Sequence, residues 1–84
     1  MINKEVLKKK IIYRSTHRGS KEMDILLGNF VKKYVNKLTN EYLLNLDNIL
    51  KIEDEVLYRW YFEKNNSGKI PNNKISELLK KFKI

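Results

Sequence analysis

The chain is predicted to be all-α, a small five-helix bundle forming a single domain over residues 1–84, and three observations carry that prediction. Apolar residues recur at steps of three and four along most of the chain, the signature of helices with one buried face. Alternation with period two never holds beyond a few residues, so β-hairpin signals are missing. Short polar breaks divide the pattern into five segments, and this length suffices for one small core but not for a cofactor cavity walled by a second domain.

Residues 4–16 form the first helix, with Val6, Leu7, Ile11 and Tyr13 as an uneven apolar side and Lys8, Lys9 and Lys10 spread around the cylinder. From about Ser20 to Lys37, the positions Leu27, Phe30, Val31, Tyr34 and Leu38 make the strongest stripe of the chain. Gly28 interrupts it at a cost of about 1 kcal/mol relative to alanine, which indicates close helix packing or a kink. Thr39 or Asn40 caps a third helix, with Glu41 in its first turn and Leu43, Leu46, Ile49 and Leu50 facing inward. Glu53, Asp54 and Glu55 precede Val56, Leu57, Trp60 and Tyr61 as carboxylates do at the positive end of a helix dipole. Asn65-Asn66-Ser67-Gly68 is a loop, and Pro71 suits the first turn of a fifth helix carrying Ile75, Leu78, Leu79 and Phe82. The expected core gathers Leu27, Phe30, Leu46, Leu57, Trp60 and Leu78.

Composition narrows the chemistry. With no cysteine and one histidine, disulfide frameworks, thiolate chemistry and the usual zinc clusters lack ligands, and no metal site is expected. No apolar run approaches the roughly 18 residues of a spanning helix, and Met1 to Lys10 lacks the apolar region of a secretory signal, so a soluble protein without membrane insertion is expected. The net charge of +8 favours acidic partners, but its distribution is uneven. Residues 1–18 carry Lys4, Lys8, Lys9, Lys10, Arg14 and Arg18 against Glu5, whereas residues 41–55 carry Glu41, Asp47, Glu53, Asp54 and Glu55 against Lys51. A dipolar molecule is the expectation, and a continuous cationic track for nucleic acid is disfavoured.

The stretch His17-Arg18-Gly19-Ser20-Lys21-Glu22-Met23-Asp24 concentrates a cation, a glycine and two carboxylates at one helix junction. Glycine there accepts positive φ or admits close approach. Catalysis does not fit, because Glu22 and Asp24 point about 200° apart on a helix, and no phosphate loop, nucleophile elbow or metal-ligand spacing accompanies them. Spacing leaves two readings open. In one, Gly19 is the helix cap with Glu22 three positions on, Asp24 serves the dipole and Arg18 covers carbonyls of the preceding helix. In the other, the same residues bind a partner.

Here the sequence resembles a known family. Arg-Gly-x-x-Glu followed by an apolar residue and Asp is the signature of the SdhE family of flavinylation and assembly factors for succinate dehydrogenase. The longer run Arg-Ser-x-His-Arg-Gly-x-x-Glu-Met-Asp-Ile-Leu-Leu-Gly-x-Phe resembles the bacterial form, and the acidic turn before Val56-Leu57-Tyr58-Arg59-Trp60 is similar to a later family segment. The resemblance covers about residues 7–62. It implies a five-helix bundle in the bacterial cytoplasm, monomeric when free, that binds the flavoprotein subunit of succinate dehydrogenase, with fumarate reductase as a further candidate. It implies promotion of covalent FAD attachment to a histidine of that partner, by a helper with no catalytic site and no stably bound cofactor of its own. Arg18, Gly19, Glu22 and Asp24 are the partner-binding residues by this resemblance, and His17 joins them where many members carry a second arginine.

Two rival classes remain at this stage. A nucleic-acid-binding module would use Lys8, Lys9, Lys10, Lys80, Lys81 and Lys83. A general protein-interaction domain would use an exposed apolar patch and be indifferent to Arg18 and Glu22.

Overall fold

Five α-helices follow one another in the computed structural model, which describes residues 3–65 and 68–83: α1 (Lys4–Thr16), α2 (Lys21–Tyr34), α3 (Asn40–Leu50), α4 (Asp54–Phe62) and α5 (Lys74–Lys81). No strand occurs among the described residues. Four of the helices start on a side chain that accepts from free backbone amides: Asn3, Ser20, Thr39 and Asn73. Helix α4 has no such bond at Glu53, and Asp54 and Glu55 occupy its first turn instead.

Three boundaries differ from the sequence expectation. The cap of α2 is Ser20 and not Gly19, because the serine hydroxyl supplies an acceptor for the Met23 amide that glycine lacks. The same helix ends at Tyr34 rather than Lys37, since Lys37 N–H bonds to Tyr34 O at 2.8 Å and tightens the chain out of the α-helix. Pro71 lies two residues before the Asn73 cap of α5, where a reciprocal capping box between Asn73 and Ser76 sets the start. Asn66 and Ser67 of the expected loop lie outside the described residues.

The core is formed by Leu7 and Ile11 of α1, Met23, Leu26, Leu27, Phe30 and Val31 of α2, Leu43, Leu46, Ile49 and Leu50 of α3, Leu57 and Trp60 of α4, and Ile75 and Leu79 of α5. Leu78 and Phe82 are only partly buried. Helix α1 packs against both α2 and α3, and α3 packs against α5. The segment after α5 closes the assembly: Phe82 meets Phe30 edge-on at 5.4 Å, and Tyr61 Oη donates to its carbonyl.

The apolar side expected for α1 splits in two. Leu7, Ile11 and Ser15 follow each other at steps of four and are buried, whereas Val6 and Tyr13, seven apart, lie on the outward side. Gly28 faces the end of α1, where an added Cβ would sit 3.8 Å from Thr16 Cγ2 and 4.0 Å from Ser15 O, which is ordinary contact. Close packing explains its position, yet the space admits a methyl group.

Gly28→Ala should therefore stabilise the protein by up to about 1 kcal/mol, read as a higher urea midpoint at unchanged m value. Leu46→Ala should cost about 2–5 kcal/mol in the same assay, because it leaves a cavity at a fully buried position.

Candidate functional site

The junction between α1 and α2 is built by backbone and side chains together. Thr16 Oγ1 donates to Ile12 O at 3.0 Å, closing the last turn of α1. His17 follows as the C-cap, with Nδ1 at 2.8 Å from Tyr13 O and its ring stacked on Tyr13 at 3.9 Å and 16°. A carbonyl only accepts, so Nδ1 carries the hydrogen, an assignment made from this geometry.

Arg18 turns inward. Its Nε donates to Asp54 Oδ1 at 2.6 Å, Nη2 to Ile52 O at 2.8 Å, and Nη1 to Arg14 O at 3.2 Å and also to Leu50 O. The guanidinium thus joins the end of α1 to the turn between α3 and α4, with the arginine side chain 8% exposed and that of Asp54 21%. It covers a carbonyl of the preceding helix, as the structural reading expected, and three further acceptors from the segment 50–54.

Asp54 uses its second oxygen, Oδ2, to accept the Gly19 N–H. A Cβ at Gly19 would stand 3.1 Å from that oxygen, tighter than ordinary contact. The residue has no positive φ; among the described glycines only Gly68, at 78°, does. Of the two reasons expected for a glycine here, close approach is the one found, and the group that approaches belongs to the same chain. Asp24 completes the junction, its Oδ1 accepting the Arg18 N–H at 2.7 Å.

Glu22 stands apart. It is exposed in the first turn of α2 and makes no hydrogen bond or ion pair with another described residue. The capping role considered for it is filled by Ser20. Arg18, Gly19 and Asp24 therefore shape the junction, while Glu22 and His17 project from it. Beside Gly19 and Ser20 opens a shallow groove lined by Asp54, Glu55, Tyr58, Arg59 and Glu63, in which Arg59 pairs with Glu55 at 2.7 Å.

Sequence reading did not assign Asp54 or Ser20 to this site. Ser20 carried a usable signal, since serine is a preferred helix cap. Asp54 carried none, because its carboxylate was already accounted for by the dipole of α4 and its partners lie 35 and 36 residues away. Among the described residues no group of three or more His, Asp or Glu side chains is placed to hold a metal ion. What the arrangement supplies is a hydrogen-bonded loop with an exposed carboxylate, Glu22, beside it.

The family model described as Sdh5, flavinator of succinate dehydrogenase, matches residues 9–83. A mitochondrial succinate dehydrogenase assembly factor 2 of Candida glabrata is 37% identical over 95% of this chain and 54% of its own length. The FAD assembly factor SdhE of Acetobacter pasteurianus is 36% identical over 76% of this chain and 54% of its own length. A mitochondrial succinate dehydrogenase assembly factor 2 of Dictyostelium discoideum is 34% identical over 90% and 52%. The chain spans about half the length of these curated relatives. No solved structure matches it. The expectation of a bacterial cytoplasmic protein is corrected here, because relatives from yeasts, Dictyostelium and Arabidopsis are mitochondrial by name.

The geometry separates Asp54 from Glu22 in a stability assay. Asp54→Ala should cost about 3 kcal/mol or more, because it strands a nearly buried guanidinium. Glu22→Ala should change stability by no more than about 0.5 kcal/mol, since that exposed carboxylate makes no hydrogen bond or ion pair with a described residue. Thermal denaturation of the two variants beside the parent chain checks both.

Proposed function

The chain belongs to the family of succinate dehydrogenase flavinators, and from that premise we propose that it binds the flavoprotein subunit of succinate dehydrogenase and promotes covalent attachment of FAD to a histidine of that subunit. The observation that carries the reading is Glu22, an unpaired, exposed carboxylate beside a loop in which Arg18 and Asp24 are engaged inside the protein. A charge held without an internal partner on a rigid support is available to accept hydrogen bonds from another protein at small entropic cost.

The division of labour follows from the contacts. Arg18 acts as a positioning residue, since its donors are taken by Asp54 and three backbone carbonyls. Gly19 keeps the loop flat against Asp54, and a side chain there would both press on that carboxylate and stand between the loop and a docking partner. Asp24 fixes the Arg18 amide, and His17 offers the free edge of its ring beside Glu22's helix. The chemistry belongs to the partner: FAD and the acceptor histidine are its groups. The helper raises the population of the geometry in which they react, contributing neither nucleophile nor base. Fumarate reductase is a second candidate client by the same chemistry. Names of the relatives favour a mitochondrial setting, and they lend nothing to a nucleic-acid module.

The test is covalent flavin in the cognate flavoprotein subunit, read as fluorescence surviving a denaturing gel after co-expression in a host lacking its own helper. The parent chain should raise the signal, and Glu22→Ala should lower it at least tenfold while its melting temperature stays unchanged, a loss of about 1.4 kcal/mol or more at one charged contact. Equal signals with and without the parent chain would refute the reading.

A further inference from the structure

The outward side of α1 is unusual for a helix in so charged a protein. Val6 is 55% and Tyr13 62% exposed, one helical face apart from the buried Leu7 and Ile11. With Lys9, Lys10 and Arg14 they line an open groove on the helix surface. Two of the three cations on this face have no acidic partner among the described residues. Lys9 and Lys10 make no hydrogen bond or ion pair with another described residue. Glu5, the sole carboxylate of α1, is paired with Lys8 at 3.7 Å. Arg14 leans away toward the buried Asp47 at 3.6 Å.

The face is also continuous with the motif. Tyr13 stacks on His17, the residue next to Arg18 and Gly19, so this face of α1 reaches the junction at His17. From these observations we propose that the outward face of α1 is a second part of the docking surface and receives an acidic segment of the flavoprotein partner. This rests on the reading given under the proposed function. An apolar side chain of that segment sits between Val6 and Tyr13, and its carboxylates lie over Lys9 and Lys10.

The chemistry selects this occupant. Lysines beside an exposed tyrosine attract carboxylates and speed encounter, and the tyrosine ring supplies contact area at small entropic cost. A bilayer would need a continuous apolar face to enter the headgroup boundary, whereas here Lys9 and Lys10 lie between Val6 and Tyr13 along the helix. The arrangement suits a helix or extended segment with alternating acidic and apolar contacts. It assigns work to the first helix that its own packing does not explain, since Val6, Lys9, Lys10 and Tyr13 contribute little to the core.

Titration calorimetry of the whole chain against the cognate flavoprotein subunit, at low and at physiological salt, tests the proposal. The double variant Lys9→Glu/Lys10→Glu should bind about tenfold or more weakly at low salt and lose most of the salt dependence of the parent chain. Val6→Ala/Tyr13→Ala should weaken binding at both salt concentrations, with helicity by circular dichroism unchanged in both double variants. Parent-like affinity in both, beside a Glu22→Ala control that binds poorly, would overturn the second surface and leave the motif reading standing. Failure of the parent chain to bind would overturn the flavoprotein reading, and this inference with it. Loss of binding to phosphatidylserine vesicles or to duplex DNA in the lysine variant, with flavoprotein affinity intact, would overturn it in favour of those ligands.

Discussion

The bidentate use of one carboxylate organises this protein around its candidate site. Asp54 holds the Arg18 guanidinium on one oxygen and the Gly19 amide on the other, so a side chain of α4 grips the chain where α1 gives way to α2. Arg18 in turn takes up the carbonyls of Leu50 and Ile52, which belong to the end of α3 and the turn that follows. Four helices thus meet at one ion pair. A nearly buried pair of this kind contributes little net stability compared with apolar side chains of similar size, but any arrangement that leaves one member alone is strongly disfavoured. Its main consequence is geometric: the pair ties the loop between α1 and α2, just ahead of Glu22, to the start of α4.

The charge pattern takes on a different meaning in three dimensions. The basic first segment and the acidic middle segment look like the two poles of a dipolar molecule when read along the chain. In the fold they meet. Arg14 and Arg18, one helical turn apart, reach Asp47 and Asp54, and Lys51 approaches Asp47 from the other side at 3.6 Å. Much of the apparent segregation is therefore internal complementarity that docks α1 onto α3 and α4. Asp47 is less completely served than Asp54, since its buried Oδ1 has no hydrogen-bond partner among the described residues and its two cations stand at ion-pair distance only. Of the cations of the first helix, Lys9 and Lys10 are left over on its outward side.

The role proposed for this chain, help by recognition, has different structural needs from those of an enzyme. It requires no deep cavity and no convergent titratable groups; it requires a surface that does not reorganise on contact. At the junction Ser20, Asp24 and Asp54 each satisfy a backbone amide that would otherwise be free in a turn. The motif residues that look most suited to touching a partner, Arg18 and Gly19, are the ones most occupied by the protein itself. Glu22 is left exposed because Ser20 has already filled the capping position.

Helix number, most helix starts and most of the core were legible in the amino-acid sequence, because they depend on local chemistry, although Met23, Leu26 and Val35 were not picked out and Leu78 is only partly buried. Periodicity of three and four marks a buried face wherever that face lies, as with Leu27, Phe30, Leu43, Leu46 and Leu57, and a side-chain acceptor such as Thr39 marks a cap through its own neighbours. The junction motif was visible too, as an unusual cluster at a turn. Its internal assignment was not. Whether Arg18 faces a partner or its own protein, whether Glu22 caps a helix or stands free, and which side of α1 Tyr13 takes depend on what lies across the fold. Asp54 settles the first of these from 36 residues away, a distance at which spacing along the chain carries no information and only the packing of α1 against α3 and the turn into α4 brings the groups together.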